Sequence, residues 1–357
     1  MAVFTTTNSG ISENQNAMIG KWENPLRMII ENESDVCGKD DDLVRALFEV
    51  SRSTHFGESF VTQSDFDIFA PVAEGADAVQ DSFAEQSAKF IANTTFKKQF
   101  RVTMEMMEDA QTAQMEMMAR RFVRSYYRTR NLLATQLLTG ATGNTLEFGT
   151  PGNTMAFDLT AADGLPLLSR AHADSGNRFS HVLTGELDCA AVEKVLSAAV
   201  GKMRNVCDSH GYPLGYTADT VMIPCDDPKL EIALKRVLGS ELGGGILDGG
   251  CSLHYGNWTL IVNPLWRREN LTSHPMIIFS SAARRNLGGA VFLDRKPLTV
   301  SAHVDQDSGD YIWNGVARMS AGFVSHKWIC SAEILDAGTS ALFDAGTAGS
   351  DSIALEL

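Results

Sequence analysis

The chain has 357 residues, of which 44% are hydrophobic and 21% are charged, the balance of an ordinary globular protein. This composition excludes a disordered, collagen-like or coiled-coil protein, and the length predicts two compact domains. Asp and Glu number 44 against 30 Lys and Arg, a net charge of −14. That charge argues against a protein whose main function is to bind nucleic acid or an anionic membrane, although a local basic patch is compatible with a negative net charge.

The first eight residues contain no basic stretch followed by an apolar one, so they do not predict a secretory signal. The densest apolar stretch, near 276–279, is too short to span a membrane. The cysteines are all more than four residues apart, which fits neither a zinc ribbon nor a CxxC pair. Without an export signal we expect scattered, reduced and buried thiols. They are Cys37, Cys189, Cys207, Cys225, Cys251 and Cys330.

The first hundred residues combine a polar arm with a β segment. Residues 1–54 carry a dense run of acids between 31 and 42, and we expect an extended arm with one or two short helices. Its composition suits a segment that binds another chain, although a frayed terminus fits nearly as well. Apolar and polar side chains alternate over 96–104, which predicts a half-buried strand, and 66–72 is a second candidate strand. Because so long a two-stranded excursion has little core of its own, we expect it to lean on another surface, such as a neighbouring subunit.

Residues 105–139 give the clearest helical pattern. Apolar or aromatic side chains recur there at spacings of three and four. Thr103 is placed to cap the start of the helix, and Gly140 is placed to end it. At 1.5 Å per residue the helix would span about 50 Å, which predicts a strut rather than an ordinary domain helix.

Five arginines fall within eleven residues of this predicted helix, which is unusual in an acidic chain. Three of them are one turn apart and share a face. One interpretation is a solvated face that pairs with local acids, and the other is a contact with another subunit or with the lumen of an assembly. The pattern favours neither. The candidates are Arg120, Arg121, Arg124, Arg128 and Arg130.

The second half of the chain predicts mixed α and β structure. Residues 141–185 have the composition of loops, Asp188 is placed to cap a helix, and Pro228 is placed to begin another. The last twenty or so residues, 335–357, have the composition of a loose tail. The strands predicted in this half are 220–223, 257–262, 298–304, 311–317 and 328–334.

The sequence lacks the usual catalytic and cofactor patterns. It contains no GxxxxGK[ST], HExxH or GxSxG, and the glycines of 243–248 fail the GxGxxG pattern. The acids of 305–310 fit a β-turn better than a calcium loop, because Gly309 stands where a ligand is needed. The eight histidines are dispersed, with no nucleophile nearby in sequence. We therefore expect no enzyme activity, no cofactor and no metal, and a binding or structural role instead.

Four stretches, taken in their order along the chain, carry a family resemblance. Residues 70–75 resemble the entry to the extended E-loop of tailed-bacteriophage major capsid proteins, and 101–110 resemble the return strand and the start of their spine helix. Residues 163–172 are similar to a loop of Mu-type head subunits, and 304–323 resemble the closing strands of the family. The resemblance implies an α+β fold of the Hong Kong 97 type.

The resemblance also implies a division of the chain into the parts of that fold. A long spine helix over about 105–139 would belong to the P-domain. The implied parts are an N-arm (1–54), an E-loop (55–100), a P-domain (101–185 and 296–334), an A-domain (186–295) and a C-terminal tail (335–357).

Function and partners follow from the resemblance as expectations. Hexamers and pentamers of the chain would form an icosahedral shell around phage double-stranded DNA, with the DNA contacted weakly at the inner surface. The shell would assemble in the bacterial host cytoplasm and become part of the virion. Because about fifty residues precede the E-loop, the resemblance implies a separate scaffolding protein, or none. A portal protein and a possible decoration protein are the other expected partners. Lys89 lies in the E-loop region, but no motif identifies a partner for a covalent crosslink.

The distribution of charge suggests how neighbouring subunits meet. Residues 1–90 hold 16 acids and 6 bases, a net charge of −10, and residues 91–140 hold 8 bases and 4 acids, a net charge of +4. We expect the acidic arm or E-loop of one subunit to contact the arginine-bearing helix of another. Glu74, Asp77 and Asp81 are the acidic candidates.

Two alternatives stay open from the sequence. One is a related shell with a different cargo, such as an encapsulin-like nanocompartment. The other is a soluble α/β enzyme with an unrecognised site. The missing motifs and the unsupported two-stranded segment argue against an enzyme.

Overall fold

The computed structural model describes residues 13–39, 42–64, 66–69, 71–75, 77, 80, 85–109, 111–172, 176–183, 185–239 and 254–336. The chain divides into two compact units. Unit 1 comprises Met1–Ala171, Cys207–Pro213 and Ala282–Trp328, and unit 2 comprises His172–Val206, Leu214–Ser281 and Ile329–Leu357. The glycines of 243–248 and nearly all of the expected tail lie outside the described residues.

The described residues contain seven helices and thirteen strands. The helices are α1 (Glu13–Lys39), α2 (Asp42–Leu47), α3 (Met104–Glu108), α4 (Thr112–Thr139), α5 (Cys189–Arg204), α6 (Pro228–Gly239) and α7 (Ser281–Asn286). The strands are β1 (Glu49–Ser51), β2 (Gly57–Gln63), β3 (Glu85–Ala92), β4 (Thr94–Val102), β5 (Thr145–Thr150), β6 (Asn153–Asp158), β7 (Arg178–Val182), β8 (Thr220–Pro224), β9 (Thr259–Asn263), β10 (Ser273–Phe279), β11 (Ala290–Val304), β12 (Tyr311–Phe323) and β13 (Ile329–Leu335).

The expectation of short helices in the N-terminal arm is wrong, because α1 runs for 27 residues. Leu26 and Ile30 of α1 are buried, and they belong to one apolar cluster with Met115, Ala119 and Val123 of α4. Burial of these side chains against a second helix stabilises α1, although its sequence is mostly polar. The arm is thus packed on its own chain.

The long predicted helix is present but interrupted near its start. Thr103 caps α3, accepting a hydrogen bond from the amide of Met106, as expected. Asp109 then ends α3, with its amide bonded to the carbonyl of Glu105, and α4 begins at Thr112. Gly140 ends α4, again as expected. At 28 residues, α4 still spans about 40 Å.

Unit 1 is built on a four-stranded sheet in the order β1-β11-β12-β4. Strands β11 and β12 are antiparallel, and β12 is antiparallel to β4. The turn between β11 and β12 contains the acids of 305–310, and Arg101 forms ion pairs with Asp305 and Asp310 there. As expected, 305–310 is the turn between these antiparallel strands, and the amide of Gly309 donates to the carbonyl of Asp305 at 2.9 Å.

Two separate hairpins belong to unit 1, and the sequence misplaces both. The first pairs β2 with β3, so its outgoing strand is 57–63, and the strand predicted over 66–72 is wrong. The second pairs β5 with β6 inside the segment expected to be loops. Its turn contains Gly152 at φ 84°, a left-handed conformation that glycine adopts without strain.

Unit 2 has a five-stranded mixed sheet in the order β7-β13-β10-β8-β9. Strand β10, which the sequence analysis does not predict, lies at its centre and is antiparallel to both neighbours. Asp188 caps α5 by accepting a hydrogen bond from the amide of Ala191, and Pro228 begins α6, both as expected. The apolar stripes of these two helices are buried, as their spacing predicts.

Candidate functional site: the surfaces of helix α4 and of the β2–β3 hairpin

The five arginines of α4 occupy different environments. Arg120, Arg121, Arg124 and Arg128 are exposed on the helix surface, whereas Arg130 is buried. Arg120 lies 4.0 Å from Glu116 one turn earlier, at the limit of an ion pair. Within the part of the chain that the structure describes, Arg121 and Arg128 contact no acid. They are seven residues apart, two helical turns, and so lie on the same face.

Arg124 is already paired with the N-terminal arm of its own chain. Its side chain donates a hydrogen bond to the carboxylate of Glu33 on α1. This hydrogen bond, together with the negative charge of Glu33, raises the pKa of Arg124. One turn on, the hydroxyl of Tyr127 donates to the carbonyl oxygen of Ser34 at 2.9 Å. The expected contact between an acidic arm and this helix therefore exists, but for Arg124 it lies within one subunit.

Arg130 is an internal group, and its assignment as a candidate inter-subunit contact is wrong. Its guanidinium donates to Asp294 at 2.8 Å and to the hydroxyl of Tyr126 at 3.2 Å, and lies 4.8 Å from the ring centre of Phe292. Burial is the main reason that the pKa of Tyr126 rises to about 12. Arg130 follows four exposed arginines in the sequence of α4. It differs from them in being buried, because it lies beside β11.

The acidic candidates lie in the segment that joins β2 to β3. Glu74 and Asp77 are exposed, and no ion pair of the described residues joins either of them to an arginine of α4. Asp81 lies outside the described residues. Within one subunit, therefore, the structure does not pair Glu74 or Asp77 with the arginines of α4.

The same segment has exposed apolar side chains, which the sequence analysis assigned to a candidate strand over 66–72. The exposed fraction is 65% for Phe66, 65% for Ile68, 104% for Phe69 and 51% for Val72. Asp67, between them, accepts a hydrogen bond from the hydroxyl of Tyr212, and its negative charge raises the pKa of that tyrosine. Exposed apolar clusters of this kind mark interaction sites. In the sequence, this exposed cluster is visible only as the apolar content of 66–72.

Lys89, the lysine considered for a crosslink, is almost completely buried. Its ammonium contacts Asp158 at 2.5 Å and the hydroxyl of Thr160 at 2.7 Å. Asp158 is the last residue of β6, and Thr160 follows shortly after it. The side chain of Lys89 is 8% exposed, against 57% for Asp158. The lysine is therefore held within its own chain.

The buried polar groups of unit 2 form a structural network. Asp227 caps α6 through the amide of Leu230, accepts from His274 at 2.6 Å, and lies 3.5 Å from Arg268. The other ring nitrogen of His274 lies 3.4 Å from Asp336. The carboxylate of Asp227 thus lies against an amide, an imidazole and a guanidinium at once.

The thiols differ from the expectation of general burial. Of the five described cysteines only Cys330 is buried, and Cys37, Cys189, Cys207 and Cys225 are partly exposed. Burial raises the pKa of Cys330 to about 12. Cys251 lies outside the described residues. Separately, no helix within the described ranges is both long and apolar enough to cross a membrane.

Comparisons with known proteins agree with this architecture. The family model described as phage capsid protein matches residues 86–334, well over half of the chain. Among solved structures, the capsid of Myoviridae phage XM1 matches with a TM-score of 0.50 and 14% identity, covering 82% of this chain and 90% of that one. No curated protein sequence matches the chain.

Two further solved structures resemble the chain less closely in backbone geometry. One from Microbacterium phage Oxtober96 has 10% identity and a TM-score of 0.48, covering 82% of this chain and 90% of that one. One from Mycobacterium phage Patience has 14% identity and a TM-score of 0.43, covering 94% and 93%. The family match does not favour the nanocompartment or enzyme alternatives. The chain belongs to the phage capsid protein family: it is a structural, non-enzymatic shell protein of the virion, with the α+β fold of Hong Kong 97-type capsids.

Proposed function

We propose that this chain assembles as hexamers and pentamers into the closed icosahedral head of a tailed phage and encloses its double-stranded DNA. The observation that carries the proposal is the exposed apolar segment of Phe66, Ile68, Phe69 and Val72. A monomer gains nothing from holding these side chains in water, whereas a neighbouring copy of the chain would bury them. Head-to-tail contacts of this type close into rings.

We also assign the parts of the fold to segments of the chain. Residues 1–54 form the N-arm, 55–100 the E-loop, 101–185 with 296–334 the P-domain, and 186–295 the A-domain. Helix α4 is the main part of the spine helix. The support for this assignment is the order of the elements: the β2–β3 hairpin, which lies outside the central sheet of unit 1, is followed by β4 and then by α3 and the long helix α4.

Electrostatic contacts between subunits are the second part of the proposal. Arg121 and Arg128 present two positive charges on one face of α4, without an acidic partner in the described part of their own chain. Glu74, Asp77 and Asp81 of a neighbouring copy supply the complementary charge. Exposed ion pairs of this kind contribute little individually but guide register and association.

Electron microscopy tests the shell proposal directly. The chain would be purified after expression alone and beside its neighbouring genes, and then examined in negative stain. Closed shells, tubes or free hexamers are the expected products. A monomer or dimer under both conditions would contradict the proposal. The second condition also supplies the separate scaffolding, portal and decoration proteins that we propose as partners during assembly in the host cytoplasm.

Charge reversal tests the contact between subunits. We expect Arg121→Glu with Arg128→Glu to lower the yield of shells and to make assembly less sensitive to salt. Lys229→Glu with Arg236→Glu, on the exposed face of α6, makes the same change of charge elsewhere. Normal shells that package less DNA would assign the arginines to the nucleic acid and contradict the proposed contact.

A further inference from the structure

The β2–β3 hairpin is attached to the rest of unit 1 at its base. Asn93, which follows β3, donates to the hydroxyl of Ser53 at 2.8 Å and to the carbonyl of His55 at 3.0 Å. Ser53 in turn donates to Glu58 on β2 at 2.7 Å. These bonds join the two ends of the hairpin to each other at its base.

Near the base, Ile91 of β3 lies in an apolar socket on the main sheet. Ile91 is buried together with Val291, Leu293 and Val324, and Phe60 of β2 packs against this cluster, partly buried. Ile91 packs against Gly322 of β12, where an added Cβ would lie 2.8 Å from the Cδ1 of Ile91. The missing side chain of Gly322 therefore makes the room that Ile91 occupies.

Two residues further from the base, β3 makes an ionic contact through Lys89. Lys89 faces the same side of β3 as Ile91 and is buried, while Phe90 between them is 55% exposed. The ammonium of Lys89 donates to Asp158 and to the hydroxyl of Thr160, and that hydroxyl donates to the other carboxylate oxygen of Asp158 at 2.7 Å. Three polar groups thus satisfy one another.

The choice of lysine at this position has a physical consequence. An apolar side chain at this position would lose the free energy of burial whenever the hairpin moved away. A lysine is stable in the docked position while its charge is paired, and its ammonium is hydrated when the hairpin moves away. The ionic contact therefore opposes movement of the hairpin less than an apolar contact would.

We propose that Lys89, Asp158 and Thr160 form a releasable latch, which holds the β2–β3 hairpin against the β5–β6 hairpin until the hairpin turns about Ile91 in the Gly322 socket to meet a neighbouring copy of the chain. The last clause rests on the proposed shell function. The latch itself is a property of one subunit and is tested there.

Hydrogen exchange of the unassembled full-length chain tests the latch, read out over 57–63 and 85–92. Asp158→Asn leaves the buried ammonium without a counter-charge, so the hairpin should leave its docked position and exchange about tenfold faster. In a Lys89→Met background the same Asp158→Asn change should have less than about a twofold effect, because no charge then needs a partner. Asp307→Asn, an exposed acid of the β11–β12 turn, is the matched control and should change nothing in the hairpin.

Each outcome decides the proposal. Faster exchange confined to the hairpin and dependent on Lys89 supports the latch. Unchanged exchange in Asp158→Asn, an equal effect in both backgrounds, or an increase spread through α4 and unit 2 overturns it. If the latch behaves as expected but the wild-type chain never forms shells, the proposed function fails and the latch stands.

Discussion

Arg124 of α4 donates a hydrogen bond to Glu33 of α1, and this pair joins residues 91 positions apart in the chain. The carboxylate is nearly buried, whereas the guanidinium is 66% exposed. The pair lies beside an apolar contact between the same two helices, formed by Leu26 and Ile30 of α1. The arm is therefore held by two kinds of contact of unequal strength.

We predict that the apolar contact dominates the docking of α1. Ile30→Ala should lower the free energy of unfolding by about 2–5 kcal/mol, because it leaves a cavity between the helices. Arg124→Gln should have a smaller effect, since the glutamine amide can still donate a hydrogen bond to Glu33 and the exposed charge that is lost is screened by water and salt. Denaturant unfolding followed by circular dichroism measures both. An equal loss for the two variants would show that the ion pair holds the arm.

Arg130 should behave as a core residue rather than a surface one. Arg130→Met leaves Asp294 partly buried without its partner, and we expect a loss of about 3–5 kcal/mol in unfolding free energy. Arg121→Met, on the exposed face of the same helix, is the matched control and should leave stability unchanged. Thermal unfolding of both variants is the measurement, and similar melting temperatures would refute the internal role.

The network at the start of α6 should be sensitive to the loss of its central carboxylate. Asp227→Ala removes the cap of α6 and the carboxylate that His274 contacts at 2.6 Å and that lies 3.5 Å from Arg268. A lost cap alone costs about 1 kcal/mol, and the loss of a buried hydrogen-bond acceptor adds to that cost. We expect unit 2 to unfold at lower denaturant concentration. Glu186→Ala, at an exposed acid of unit 2, is a suitable control, and an identical midpoint for the two variants would contradict the prediction.

We predict that lowering the pH frees the β2–β3 hairpin from its contact with Asp158. Burial acts to raise the pKa of Asp158, but the bonds from Lys89 and Thr160 outweigh it, and the pKa lies below the ordinary value of 3.8. A lowered pKa in the folded chain means that the carboxylate stabilises the docked hairpin above pH 3.8, and that this stabilisation is lost as the pH falls through the lowered value. Hydrogen exchange, corrected for its intrinsic pH dependence, should therefore accelerate in the hairpin below that pH. Asp158→Asn should abolish this acid effect, and its persistence in that variant would assign it to another group.

Thiol reactivity should separate Cys330 from the other described cysteines. The thiolate is the reactive form, and burial raises the pKa of Cys330 to about 12. We expect alkylation at pH 8 to modify the partly exposed Cys37 and Cys207 in the unassembled folded chain, and Cys330 only after unfolding. Peptide mass spectrometry resolves the sites. Labelling of Cys330 in step with Cys207 would contradict its burial.

Much of the fold follows from local pattern. The three- and four-residue spacing of apolar side chains predicts α4, and the caps at Thr103, Asp188 and Gly140 have the chemistry that helix ends require. The errors occur where stability comes from distant contacts. Helix α1 has a short apolar stripe that is sufficient only because α4 covers it, and residues 66–72 have the apolar content of a strand but no partner strand.

The sequence by itself determined the family, the long helix, the excursion before it and the surplus of arginines on that helix, because these depend on order, spacing and composition. Only the tertiary structure decided which arginines face water and which acid each one meets. It also decided that Lys89 is buried beside Asp158, 69 residues away. The physical reason is that burial and pairing of charges depend on which elements the fold brings together, and no local pattern carries that information.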